Sequence, residues 1–276
     1  MLSHSDCRVG LRGLPPESVD LTVTSPPYGG MRRFGGHEFD WNVFADVANE
    51  LWRVTKPGGI LCWQEGEEVI RTGPRKGSYS GLPTAHAMYL QDLGFLRWDR
   101  LITGVTGIRC PDAGKRYLCP PTDLFVLTKG EPKNVALLED RLNSTVGKHR
   151  RTTDRRADGT LRIRKPYGAT KEMGRRTTIW LYPAGASTTR DAGVRREFPA
   201  LMIEALARDL ILSYSLPGDL VLDPFAGACT TGKLALLLDR KFVGFEVHEP
   251  YFQMGAERLR VAAGAAALAR SKRCFA

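Results

Sequence analysis

The feature that most constrains this chain is a five-residue stretch, Thr24-Ser25-Pro26-Pro27-Tyr28. It follows a short, mostly apolar run, residues 19 to 23, that reads as a buried strand. Each proline fixes its own φ and pushes the residue before it towards extended geometry. Prolines also lack N–H groups, so nearby carbonyls are left to accept hydrogen bonds from another molecule. The Ser25 hydroxyl offers a second acceptor and Tyr28 a flat face. Two acceptors beside an aromatic plate suit a planar amine, such as the exocyclic NH2 of a nucleobase. A Pro-Pro pair alone is an ordinary turn signal, so the rest of the chain has to decide.

A second stretch does so near the other end: Asp223-Pro224-Phe225-Ala226-Gly227-Ala228-Cys229-Thr230-Thr231-Gly232. It lies between an expected strand at 220–222 and an expected helix from Thr231 to Asp239. That is the context of a nucleoside-type cofactor. Gly227 to Gly232 imitates a dinucleotide fingerprint, with Cys229 where the middle glycine belongs. A Cβ there works against close approach to a pyrophosphate. Glu246 ends the next expected strand, placed to accept both hydroxyls of a ribose.

The two stretches together resemble the amino-methylating DNA methyltransferases of the group called β, in which the catalytic motif comes first and the cofactor motif last. The family's catalytic motif is Ser, Asp or Asn, then Pro-Pro, then an aromatic. Its cofactor loop reads Asp-Pro-Phe-x-Gly-x-Gly-Thr-Thr, so Cys229 departs from its second glycine. The resemblance implies a Rossmann-like class I S-adenosylmethionine methyltransferase fold. That fold is α/β and circularly permuted, with a seven-stranded mixed sheet, helices on both faces and an inserted DNA-recognition region. It also implies Ser25, Pro26, Pro27 and Tyr28 as the catalytic set. For S-adenosylmethionine it implies Asp6, Thr24, Phe198, Pro199, Asp223, Pro224, Phe225, Ala226, Gly227, Thr230, Thr231 and Glu246. Asp6 equally suits a helix N-cap, and Phe198-Pro199 equally suits a helix start.

Charge points to the substrate. The formal net charge is +10, and 16 Lys or Arg against 6 Asp or Glu between Lys133 and Arg196 account for all of it. A basic segment inside an otherwise neutral chain favours a polyanion such as nucleic acid. Helical and strand periodicities fade from Lys133 to about Arg176, which reads as partly disordered without DNA. The expected division is therefore a catalytic half at 1–132, an inserted target-recognition region at 133–180 and a cofactor-binding half at 181–276. Arg32 and Arg33, in a Gly-rich loop after Tyr28, are candidate DNA contacts. So are Lys148, Arg150, Arg151, Arg162, Arg164 and Lys165.

The remaining expectations are coarser. Helices are expected over 43–54, 84–93 and 250–268, with a frayed basic tail after that. Lys56-Pro57-Gly58-Gly59 reads as the turn closing the first of these. Residues 95–102 and 123–128 read as an antiparallel pair. Six cysteines without Cys-x-x-Cys spacing imply reduced, mostly buried thiols and no zinc site. No run reaches the ~18 apolar residues of a membrane span, and no signal peptide is evident. The expected partner is double-stranded DNA, with a homodimer and a cognate restriction endonuclease as further candidates, in a cytoplasmic, nucleoid-associated setting. The serine form of the motif leans towards the N4 amine of cytosine. Adenine N6, an inactive DNA-binding relative, and RNA or a small molecule stay open as alternatives.

Overall fold

A computed structural model of the chain describes residues 1–27, 39–106, 122–149, 153–163, 168–183, 189, 191, 194, 198 and 201–274. Tyr28, Arg32, Arg33, Arg150, Arg151, Arg164, Lys165 and Pro199 lie outside the described residues. In chain order the elements are β1 (Leu2–His4), α1 (Cys7–Arg12), β2 (Val19–Thr24), α2 (Trp41–Val54), β3 (Thr55–Gly66), α3 (Leu82–Asp92), β4 (Leu96–Thr106) and β5 (Thr122–Thr128). Then come β6 (Arg141–Leu142), β7 (Thr153–Arg155), β8 (Leu161–Ile163), β9 (Met173–Gly174) and β10 (Ile179–Pro183). The chain continues with α4 (Glu204–Tyr214), β11 (Leu220–Asp223), α5 (Thr230–Leu237), β12 (Lys241–Glu246) and α6 (Glu249–Cys274).

The chain divides into two compact units, Met1–Ala136 with Thr178–Ala276, and Leu137–Thr177. The larger unit is built on one sheet in the order β1-β12-β11-β2-β3-β5-β4-β10. Only β5 runs against its neighbours, pairing antiparallel with both β3 and β4. The sheet thus has eight strands among the described residues, not the expected seven. The short piece at 179–183 joins it as an edge strand, parallel to β4.

Alternation along the strands sends side chains to both faces, and both are covered. Leu61, Trp63, Phe125, Leu222 and Phe245 pack with Leu11 of α1, Phe44, Val47 and Leu51 of α2 and Leu90 of α3. Residues of opposite parity meet the other helices: α4 lies against β2 and α5 against β11. Phe242 there approaches Gly232 so closely that a Cβ on that glycine would sit 2.6 Å from its ring. β2, β3 and β11 are buried along most of their length, as befits parallel strands covered on both faces.

Two local expectations are corrected. Lys56 to Gly59 is not a turn outside the sheet but the first part of β3. Gly58 takes φ +81 there, a conformation glycine enters at low cost, and the register between β2 and β3 shifts at the same level. The basic tail is not frayed: α6 continues to Cys274, and Arg270 Nη1 donates to Asp239 Oδ1 at 3.0 Å.

The smaller unit is not devoid of regular structure. β6 pairs with β9, and β7 with β8, both antiparallel. It carries 12 Lys or Arg against 5 Asp or Glu. Leu142, Leu161 and Ile163 stand largely exposed beside these cations. Arg176 pairs with Asp140 and holds that carboxyl below its usual range.

Candidate active site

β12, β11, β2 and β3 are consecutive and mutually parallel in the sheet, so their carboxyl ends lie at one edge. In an open α/β sheet that edge is where ligands bind. Glu246 ends β12, Asp223 ends β11, Thr24 ends β2, and Trp63 in β3 is in register with Thr24. The two motifs, almost 200 residues apart in the chain, thus end neighbouring strands.

A side-chain bond joins them. Thr24 Oγ1 donates to Asp223 Oδ1 at 2.7 Å, inside the buried core. A hydrogen bond to a charged group contributes roughly 1.5–3 kcal/mol. The same oxygen accepts from Phe225 N at 3.1 Å, which bends the chain out of β11. Burial pushes the Asp223 carboxyl up to about 6, against the hydrogen bonds from Thr24 and Thr231, and the nearby Glu246 charge adds to the rise. Thr231 Oγ1 also donates to the Val23 carbonyl at 3.3 Å, tying α5 to β2.

The Gly-rich turn is shaped by one carboxylate. Glu246 Oε2 accepts from Gly227 N at 2.8 Å and Oε1 from His248 N at 2.8 Å. Burial raises this carboxyl as well, and those two N–H groups oppose the rise. Gly227 takes φ +50, and a Cβ there would meet the Phe198 ring at 2.6 Å. Phe198 therefore packs directly against the turn at Gly227, and its ring in turn meets Tyr251 edge-on at 4.6 Å. Cys229 also takes a left-handed conformation, φ 57 and ψ 43. Glycine reaches this region freely, and other residues at a cost of roughly 1–2 kcal/mol. The Cys229 side chain is fully buried, and burial drives its thiol pKa up.

At the catalytic motif Pro26 is buried while Ser25 and Pro27 are half-buried. Asp6 caps α1, accepting from Arg8 N at 2.8 Å, and pairs with the Arg8 guanidinium at 2.8 Å. The neighbouring Ser5 N donates to the Glu246 carbonyl at 3.1 Å. The α1 cap therefore sits beside the strand that carries Glu246. Of the DNA candidates that are described, Lys148 and Arg162 are exposed and belong to the smaller unit.

Sequence reasoning missed an ion network behind the turn. Arg258, in α6 and 6% exposed, donates to the Ala228 carbonyl and to Thr230 Oγ1 at 3.1 Å. It also pairs with Asp191 and Glu204, each at 2.8 Å, and Lys233 pairs with the same two acids at 3.0 and 2.9 Å. Loop, α4, α5 and α6 are thereby fixed to one another. Among the described residues no cluster of His, Cys, Asp and Glu has the makings of a metal site. No helix there is long and apolar enough to cross a membrane.

The permuted order of motifs on a mixed, mostly parallel sheet defines a class: the α/β methyltransferases that act on exocyclic amines. The chain belongs to the N6/N4 DNA methylase family, which matches residues 19–257, and it is a DNA methyltransferase of that family. It is 38% identical over 245 residues to the orphan methyltransferase M.BamHII of Bacillus amyloliquefaciens, spanning 88% of this chain and 89% of that one. It is 29% identical to the DNA adenine methyltransferase YhdJ of Escherichia coli K12, spanning 94% and 82%. The fold is shared with TTHA0409, a putative DNA modification methylase of Thermus thermophilus solved with S-adenosyl-L-methionine. There the TM-score is 0.63 at 24% identity, over 95% of this chain and 93% of that one.

Proposed function

We propose that this enzyme moves a methyl group from S-adenosylmethionine to the N4 amine of a cytosine flipped out of duplex DNA. The observation that carries the reading is the Thr24–Asp223 bond, which fastens the Ser-Pro-Pro strand end to the Gly-rich turn. The donor set fits the cofactor. Glu246 already orients both oxygens towards N–H groups and keeps lone pairs for two ribose hydroxyls. Phe198 and residues 223–227 are the cofactor's neighbours on this reading, and Asp6, Pro199, Thr230 and Thr231 are assigned to it by the motifs. No phosphate has to be cradled, so Cys229 is tolerated where a dinucleotide would need glycine. When bound, S-adenosylmethionine supplies a sulfonium methyl, a good electrophile.

The protein's own contribution is placement. A cytosine amine is a weak nucleophile because its lone pair is spread into the ring. Ser25 Oγ and the Pro26 carbonyl accept its two N–H groups and favour a pyramidal nitrogen whose lone pair faces the methyl. Positioning of this kind removes much of the barrier. Tyr28 stacks on the flipped base, worth roughly 1–3 kcal/mol. No strong base is needed before attack, since the proton leaves only once nitrogen is cationic. The cations of the smaller unit, Lys148, Arg150, Arg151, Arg162, Arg164 and Lys165, hold the duplex, with Arg32 and Arg33 near the flipped base.

Labelled methyl transfer to random duplex DNA, followed by nucleoside analysis, tests this. N4-methylcytosine is expected. N6-methyladenine would keep the placement mechanism and replace the base.

A further inference from the structure

A buried carboxylate that the mechanism does not use lies at the same sheet edge. Glu65 is 1% exposed and sits two residues beyond Trp63, the register partner of Thr24. Pro26 is likewise two residues beyond Thr24. The two strands are parallel neighbours; β3 continues through Glu65, opposite Asp123 of β5, past the level at which β2 ends before Pro26. Glu65 Oε2 accepts from the Trp63 indole Nε1 at 3.0 Å and pairs with His86 Nδ1 at 2.8 Å. His86, 3% exposed, comes from α3 and stacks on Phe44 at 3.8 Å.

Stability is a poor explanation for this pair. Burying a carboxylate costs free energy that its hydrogen bonds offset only in part, whereas apolar side chains of the same volume carry no such cost. The Trp63 N–H needs an acceptor, but a neutral amide would supply one. What the carboxylate adds is direction: one oxygen binds donors from a strand and a helix and so fixes two rings relative to each other. Those rings meet both halves of the site. Trp63 lies edge-on to Phe225 of the Gly-rich turn at 6.3 Å. His86 lies 5.5 Å from Trp41, and Phe39 lies edge-on to both His86 and Phe225, at 6.1 and 5.3 Å. Phe39 and Trp41 lead the chain back into α2, whose N-cap is Asp40.

We infer that Glu65 and His86 are positioning residues for methyl transfer, holding the Phe39–Trp41 return and the Phe225 turn at a fixed separation. This rests on the catalytic reading of Ser25 and Pro26 given above. An in-line displacement is sensitive to the gap between nucleophile and methyl. Loosening the pair is therefore expected in the chemical step more than in affinity.

The test uses the full chain, with single-turnover methyl transfer at saturating DNA and cofactor, calorimetric S-adenosylmethionine binding, and thermal melts. His86→Ala is expected to slow transfer about 10- to 100-fold while cofactor affinity stays within about twofold. His86→Asn, whose amide nitrogen takes the place of Nδ1, is expected to recover most of the rate. Folded variants that only melt earlier and transfer at the parental rate overturn the inference. If His86→Ala does not fold, His86→Leu carries the test: it keeps most of the ring's volume but gives Glu65 no donor, and a parental rate from it again overturns the inference. Ser25→Ala is run alongside. Full activity from that variant removes the catalytic reading and the pair's role with it. Loss of activity there with undisturbed rates in the pair's variants removes the pair's role alone.

Discussion

The ends of β2 and β11 are neighbours, yet they are built on opposite principles. At β11 the chain turns through backbone N–H groups, and carboxylates hold them: buried Asp223 takes Phe225 N and half-buried Glu246 takes Gly227 N. At β2 the chain leaves through Ser25-Pro26-Pro27, where two consecutive residues have no N–H to hold. One end is organised by carboxylates and the N–H groups they hold, and the other by stiffness. On the proposed reading, that contrast lets a single sheet edge receive a cationic cofactor and a neutral amine without their recognition overlapping.

Substitutions can break that division, and the largest effect belongs to the acceptor end. Ser25→Ala differs by one oxygen, so it is expected to melt near the parent and bind cofactor. Methyl transfer is expected to fall by about 10²- to 10³-fold. Single-turnover rates beside melts would show it, and a stable but fully active variant would mean that serine is only a turn residue. Next comes Glu246→Ala at the anionic end. It removes a partner from each of two ribose hydroxyls, each worth roughly 1.5–3 kcal/mol. Calorimetry should show that weakening, with DNA affinity unchanged.

The third effect is a pH dependence set by Asp223. Its folded-state pKa of about 6 lies above its ordinary 3.8. Between those values the folded protein binds a proton that the unfolded chain has released. Stability contributed by this group is therefore complete below about pH 4 and is lost as pH rises to about 6. Asp223→Asn should flatten that part of the melting-temperature profile. The cationic cofactor should bind more tightly in the parent as pH rises through the same window, and an equal profile in the variant would contradict the assignment. Cys229 gives the smallest effect. Cys229→Gly relieves the left-handed backbone but empties buried space, and the two changes offset to within about 1 kcal/mol. Cys229→Ala empties the space without relief and is expected to melt below Cys229→Gly. The reverse order would mean that the turn is not strained.

Much of the fold is legible in the sequence because period and punctuation agree along the chain. Val19, Leu21 and Val23 mark a strand, and the Pro-Pro pair ends it. The stripe at 43, 44, 47, 48, 51 and 54 forms α2, with Asp40 as its cap. Lys56 to Gly59 misleads because Pro-Gly-Gly is a turn signal locally, while a left-handed Gly58 lets the strand absorb it. The ion network is invisible for a different reason. Asp191, Glu204, Lys233 and Arg258 are spread over almost 70 positions, and an arginine on a mostly exposed helix ordinarily faces water. Only the packing of three helices reveals that Arg258 is inside. Glu65 and His86 are hidden likewise, since a charge after an apolar strand reads as its solvated end.

The pairing of β2 with β11 has a consequence in time. Thr24 waits for Asp223, which is 199 residues later, and β1 waits for β12, with Leu2 opposite Gly244. At roughly 5–20 residues per second of synthesis, about 10–50 s pass between the making of each strand and its neighbour. Throughout that interval one edge of β2 stays unpaired, with Leu21 and Val23 still without the partners that will bury them. Such an edge is a template for wrong pairing. The Ser25-Pro26-Pro27 segment, proposed above to receive an amine, also ends the strand where a longer edge would have invited another chain to add on.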